Sequence, residues 1–412
     1  MPPAGDATDA TSVAAPSRFE LLDPLRGFAA LWVFTFHMPL SAASLALPLA
    51  RPLTAMGHFG VDVFFIISGF VISSAAQAAR QRSGGVRRFV QRRLRRIYPP
   101  YWASMAVVAA VPFLIEALSW LKTGTFIYPS AANINYAFTT FGVGTWVLFA
   151  TLLQAFVPMP GVTTLQAKFT GLNAVYWTLA IEVQFYLVMA IAVACKRLFW
   201  PFVVLVTVAS IVIDQFVDLR VSGLFLPYWL PFATGAALFW LFDTGVRPRA
   251  LPASWRAPAG LVLVLTSVSV LVTAAAAGVT MTEGSIVALT TVGILGLDAL
   301  EPAYDRVRRE GPRLLRALAQ LGALVGAMSY SIYLLHGRVQ FLSLQFVRQI
   351  VSAGVLSDVL VFVTTLVFCY VFYLLVERRF ISPPSRTAVQ SREKAGAATR
   401  RSVILRGPAP EN

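Results

Sequence analysis

Apolar runs of about 20 residues, separated by short polar, glycine- or proline-bearing breaks, recur along most of the chain. Each run is long enough for an α-helix, rising 1.5 Å per residue, to cross the roughly 30 Å of hydrocarbon in a bilayer. Such segments are read at 21–40, 58–77, 98–118, 141–157, 174–195, 198–217, 223–242, 259–278, 280–300, 318–337 and 356–377. The pattern predicts an all-α, polytopic membrane protein. The segment at 141–157 is the weakest spanning candidate, because it is short and is bounded by Gly142 and Gly144 on one side and by Pro158 and Pro160 on the other. It is read as re-entrant or interfacial, which leaves ten transmembrane helices.

Charge placement supports that choice. The stretch 80–96 carries Arg80, Arg82, Arg87, Arg88, Arg92, Arg93, Arg95 and Arg96, and the positive-inside rule puts it in the cytoplasm. With 141–157 not crossing, Arg51, Lys122, Lys168, Arg220, Arg338 and Arg348 fall on the far side, and every other basic residue faces inward. Both termini are then cytoplasmic, as expected for a multi-pass protein of the plasma (inner) membrane. Residues 1–17, small and proline-bearing, read as a disordered cytoplasmic leader, and 382–412 as a disordered basic tail. The membrane domain is expected over 18–381.

Composition narrows the function classes. Of 412 residues, 57% are hydrophobic and 13% charged, about half the charged fraction of a soluble domain, so a soluble enzyme is excluded. A net charge of +15 would suggest nucleic acid in a soluble protein; here the cytoplasmic loops account for it, and no nucleic-acid partner is expected. Cys195 and Cys369 both sit in apolar runs, which argues against a disulfide, a redox pair or a thiolate metal site, and no metal is expected.

Ionisable groups inside hydrocarbon cost roughly 2.5–3.5 kcal/mol on insertion scales, so each needs a reason. The three histidines, His37, His58 and His336, all lie in or beside a span, as do Asp62, Glu182 and Glu283. His37 lies eleven residues beyond Arg26, about 16 Å farther along the first helix and deep in the membrane. Asp62, near the same level on the second span, could hold the His37 ring in one tautomer. Glu182 and His336 are also read toward the outer half, so four ionisable groups from four helices are expected to meet there. Each has a bland alternative: a histidine satisfied by a nearby carbonyl, or, at Ser68 and Gly69, a notch for close helix packing. Arg92 with Arg95 and Arg93 with Arg96 are spaced three apart, giving a two-row basic helical face suited to gripping phosphate.

Five segments in order, LDPLRGFAALWVFTFH, GVDVFFIISGFVIS, RRLRRIYPPYW, WTLAIEVQFY and SYSIYLLH, resemble the acyltransferase 3 family of integral membrane O-acyltransferases, over about residues 21–380. Two departures stand out: Pro24 replaces a usual glycine, and Val183 follows Glu182 where a second acidic residue is common. Proline suits a first helical turn. The resemblance implies ten membrane helices and transfer of an acyl group, acetyl by family frequency, from cytoplasmic acyl-CoA to a hydroxyl of a carbohydrate or lipid-linked glycan. It implies His37 as general base, Asp62 or Glu182 supporting its charge, and Arg26, Arg93 and Arg96 holding CoA. His336, Trp177 and Tyr330, from the last two segments, are expected to bind substrate. The competing reading is a proton-coupled transporter or flippase with His37, Asp62 and Glu182 as a relay, although a relay has no evident use for the arginine pairs.

Overall fold

The computed structural model describes residues 19–125, 137–157, 161–216 and 223–381. The segments read above as a disordered leader and tail lie outside the described residues. Those that are described form α-helices and short 3₁₀ turns and contain no strand.

Helix α1 (Leu22–Phe36) is followed by two short helices, α2 (Ala42–Leu45) and α3 (Ala50–Ala55), and then by α4 (Gly60–Arg80) and the 39-residue α5 (Gly85–Thr123). The arginines from Arg87 to Arg96 and the third predicted span therefore share one continuous helix, despite Pro99, Pro100 and Pro112. Next come α6 (Val143–Thr151), α7 (Gly161–Leu172), α8 (Trp177–Ala194), α9 (Phe199–Phe216) and α10 (Trp229–Asp243). The chain continues through α11 (Ala253–Ala276), α12 (Glu283–Glu310), α13 (Arg313–Ala327), α14 (Ser329–Val347) and α15 (Val355–Leu375).

Among the described residues, seven helical stretches are long and apolar enough to cross a membrane, and an eighth if α13 and α14, bent by 67° at their junction, form one span. The expected number was ten. The two remaining candidates, α1 and α10, have 15 residues each, about 22 Å of helix, which is less than the hydrocarbon thickness. Prolines explain the shortfall at α10: Pro227 sits in a 3₁₀ turn at Leu226–Tyr228, and the α-helix begins only at Trp229. In the segment read as non-spanning, α6 is nine residues long, too short to cross.

Small residues set the closest helix contacts. At Gly69 on α4, a Cβ would lie 1.9 Å from the Phe232 carbonyl oxygen of α10; at Gly235 on α10, one would lie 1.9 Å from the Ile66 oxygen of α4. These helices meet backbone to backbone, as the packing-notch reading of Ser68 and Gly69 anticipates. Helices α1 and α13 approach in the same way at Gly27 and Gly326. A cluster of aromatic rings, Phe65, Phe185, Trp229 and Phe232, fills the space among α4, α8 and α10.

Polar fastenings lie at opposite helix ends. At the arginine-rich end, the Glu301 carboxylate accepts from the backbone N–H groups of Glu20 and Leu21, and Arg308 pairs with Glu20. Buried Asp298 there takes Arg247 and Arg249. At the other end, Ser41 donates its N–H to Asp358 (2.8 Å), the Trp32 indole donates to the Leu53 carbonyl (2.8 Å), and Asn173 donates to the Leu334 carbonyl (2.9 Å).

Candidate active site

Two cavities lie among α1, α4, α8 and α14, and the expected site residues other than His336 divide between them. The first, about 70 Å³, is lined by Arg26 from α1, by Arg93 and Arg96 from α5, by Glu182 and Tyr186 from α8 and by Tyr330 from α14, with Ser68 and other α4 residues. Helical spacing explains the two arginines from α5: Arg93 and Arg96 share one face and turn inward, whereas Arg92 and Arg95 occupy the exposed row. The Arg93 guanidinium lies over the rings of Phe89 and Tyr186, 5.8 and 5.7 Å from their centroids. The Tyr186 hydroxyl donates to Glu182 Oε1 at 2.5 Å. Tyr330, expected to bind substrate, spends its hydroxyl hydrogen on the Ile97 carbonyl (3.0 Å) while its side chain lines this cavity.

The second cavity, about 270 Å³, is lined by His37 and Phe36 at the end of α1, by His58 in the turn before α4 and Asp62 in its first turn, by Trp177, Tyr228 and Glu283, and by Ala174 and Val175. His37 is there because α1 stops at it: the ring closes the last turn with Nδ1 on the Val33 carbonyl, 3.0 Å away, and Pro39 follows two residues later. Trp177 and Tyr228 stack obliquely at 5.0 Å between ring centroids, offering an aromatic wall. Asp62 and His37 thus share a cavity, as expected.

The predicted meeting of four ionisable groups separates into distinct places. Glu182 lines the arginine cavity and not the one that holds His37. Its height along α8 was readable, but the side of the helix it faces depends on neighbours that height does not specify. His336 lines neither cavity. It is fully buried behind His37, with Nε2 3.4 Å from His37 Nδ1 and its own Nδ1 2.9 Å from the Ile332 carbonyl.

Among the described residues, only Val61 of α4 and Tyr333 of α14 line both cavities. The Tyr333 hydroxyl is held by Thr178 Oγ1 (2.5 Å) and the Val175 carbonyl (2.9 Å), and its ring meets Phe64 edge to face at 5.6 Å. Sequence reasoning missed Tyr333 and Tyr186. Spacing could have flagged both: Tyr333 stands three residues from Tyr330 and from His336, and Tyr186 stands one turn beyond Glu182.

Comparison with known proteins fits this layout. Residues 19–374 match the acyltransferase domain family, acyltransferase 3. The chain is 27% identical to acyltransferase MdmB of Streptomyces mycarofaciens over 77% of this chain and 78% of that protein. It is 26% identical to exopolysaccharide production protein ExoZ of Rhizobium meliloti, over 68% and 76% respectively. A shorter match, 26% identical over 40% of this chain and 23% of the relative, is to peptidoglycan O-acetyltransferase OatA of Listeria monocytogenes. No solved structure matches the chain.

Proposed function

Because the chain belongs to the acyltransferase domain family, matching it over residues 19–374, we propose that it is a membrane O-acyltransferase that moves an acyl group, acetyl first among candidates, from cytoplasmic acyl-CoA to a carbohydrate or lipid-linked glycan hydroxyl. The observation that carries this reading is the pair of abutting cavities, one lined by three arginines and the other by His37 and Asp62, with Val61 and Tyr333 common to both.

In this reading Arg26, Arg93 and Arg96 hold the phosphates and the near end of the pantetheine arm, since guanidinium forks grip phosphate oxygens bidentately. Glu182 and Tyr186 balance and position those guanidiniums. The thioester reaches the Val61–Tyr333 partition from one side. The acceptor enters the other cavity, where Trp177 and Tyr228 offer a face for a sugar ring and Asp62 and Glu283 accept from its hydroxyls. The His37 imidazole takes the proton of the attacking hydroxyl as its oxygen bonds to the thioester carbonyl carbon. The C–S bond then breaks, and the departing thiolate recovers that proton. Asp62, sharing the cavity, favours the transient imidazolium.

The topology that goes with this mechanism has ten spans: the seven long stretches, the bent α13–α14 pair, and α1 and α10 as short spans sheltered by neighbours. Alternating along these ten puts the starts of α1 and α13 and the end of α15 at the arginine-rich end, so both termini are cytoplasmic. A transporter reading leaves the arginine cavity without a use. Purified protein in detergent, given labelled acetyl-CoA and cell-envelope glycan, tests the proposal. Label transfer is expected with the intact protein and is lost in His37→Ala; undiminished transfer by that variant removes His37 as the base.

A further inference from the structure

The buried pair of imidazoles has a proton arrangement dictated by its surroundings. A backbone carbonyl can only accept a hydrogen bond. His336 Nδ1 lies 2.9 Å from the Ile332 carbonyl, one turn back on α14, so that nitrogen carries the hydrogen and Nε2 keeps a lone pair. His37 Nδ1 lies 3.0 Å from the Val33 carbonyl and 3.4 Å from His336 Nε2, so it too carries its hydrogen and aims it between two acceptors. The one nitrogen of the pair left with a free lone pair and no protein partner among these contacts is His37 Nε2, on the ring that lines the cavity with Asp62.

From this geometry we infer that His336 is the positioning residue of His37: its bare Nε2 holds His37 in the Nδ1–H tautomer and accepts that hydrogen more strongly once Nε2 of His37 has taken a proton from the acceptor hydroxyl. The inference deepens the reading of His37 as base and rests on it. It also reassigns His336, expected from the sequence to touch substrate. Both of its ring nitrogens are committed, the residue has no exposed surface, and the rings of Phe34 and Tyr333 flank it at 5.9 Å each. Gln340, one turn farther along α14, donates to the Phe34 carbonyl at 2.9 Å and pins α14 to α1 at this level. Asp62 cannot perform the same task at Nδ1, since that hydrogen already has its two acceptors, and is left the Nε2 side.

During transfer the bookkeeping of protons is simple. The acceptor hydroxyl gives its hydrogen to His37 Nε2, the oxygen–carbonyl carbon bond forms, the carbon–sulfur bond breaks, and the hydrogen returns from Nε2 to the thiolate. The Nδ1 hydrogen stays on His37 throughout, and His336 remains neutral.

Two variants and one spectroscopic measurement test this. His336→Phe keeps a flat ring between Phe34 and Tyr333 but removes the acceptor; His336→Gln restores an acceptor near the Nε2 position. His336→Phe is expected to lower kcat by about 10–100-fold with the KM for acetyl-CoA unchanged, while His336→Gln recovers most of the loss. A kcat for His336→Phe within twofold of the intact protein overturns the inference, as does a Gln variant no better than the Phe variant. Because the chain has only three histidines, ¹⁵N-histidine labelling of the full protein gives three pairs of ring-nitrogen signals, and His58→Gln assigns the remaining two pairs to His37 and His336. Both His37 and His336 are expected to be protonated at Nδ1 and bare at Nε2. The opposite tautomer on either ring overturns the assignment without reference to turnover. Failure of the acyl-transfer reading is separately visible as absence of label transfer by the intact protein, and failure of His37 as its base as undiminished transfer by His37→Ala; neither result alters the ring tautomers measured in the intact protein.

Discussion

Replacing Gly69 by alanine probes the closest helix contact in the fold. The added Cβ would sit 1.9 Å from the Phe232 carbonyl oxygen and 2.8 Å from its carbon, both backbone atoms that no rotamer change can remove. To reach even 3.0 Å, α4 and α10 must separate by about 1.1 Å, and a gap of 0.5–1 Å already forfeits a quarter to a half of a van der Waals contact. The contacts at risk are those of Ile66, Phe70, Phe232, Ala236 and Phe239, all buried along this seam. Several side chains losing that fraction of their packing, with the strain of overpacking, amount to about 2–4 kcal/mol. Gly235→Ala asks for the same separation, because its Cβ meets the Ile66 oxygen at 1.9 Å. The double variant is therefore expected to cost clearly less than the sum of the two singles. Denaturant unfolding of detergent-solubilised protein, followed by tryptophan emission, measures all three. If Gly69→Ala unfolds at the same denaturant concentration as the intact protein, α10 does not pack against α4 backbone to backbone, and the argument that shelters this short helix as a span fails with it.

Other expectations follow from the site and its supports. Arg93→Ala and Arg96→Ala should each weaken acetyl-CoA binding in calorimetry by roughly tenfold or more, the loss of a charge-assisted contact, whereas Arg92→Ala on the exposed row should leave it unchanged. Val61→Trp, which fills the shared wall, should retain acetyl-CoA binding but cut transfer by about tenfold or more, because the thioester no longer reaches His37; normal transfer would show that the acyl group takes another route. Asp298→Ala should lower stability by about 2–3 kcal/mol, since the fully buried carboxylate joins Arg247, Arg249 and the Arg249 N–H, and the two arginine side chains, 20% and 18% exposed, regain only part of their solvation. An unchanged unfolding curve for that variant would mean the cluster is an incidental surface pairing.

The sequence revealed heights more readily than faces. Runs of apolar residues located most of the membrane helices, and the pairs at 92–96 announced a two-row basic surface, of which the Arg93–Arg96 row lines a cavity. Glu182 was placed beside His37 because counting residues measures distance along one axis only; the turn of α8 that directs it toward the arginines is settled by packing against α4 and α5. His336 was read as a substrate contact for the same reason. That it backs onto His37 depends on how α14 lies against α1, which no periodicity encodes. The lengths of α1 and α10 were overstated because hydropathy does not distinguish a helix from the apolar turn that leads into it, as at Leu226–Tyr228.

A barrier between two aqueous compartments is usually tens of ångströms deep, and an activated group must be carried across by a separate molecule. Here, among the described residues, the lining common to the two cavities narrows to one valine and one tyrosine. On the proposed function, a two-carbon fragment crosses at that shared wall while the nucleotide that delivers it stays on its own side. Modification on the far side, under that proposal, needs no separate carrier for the acyl group.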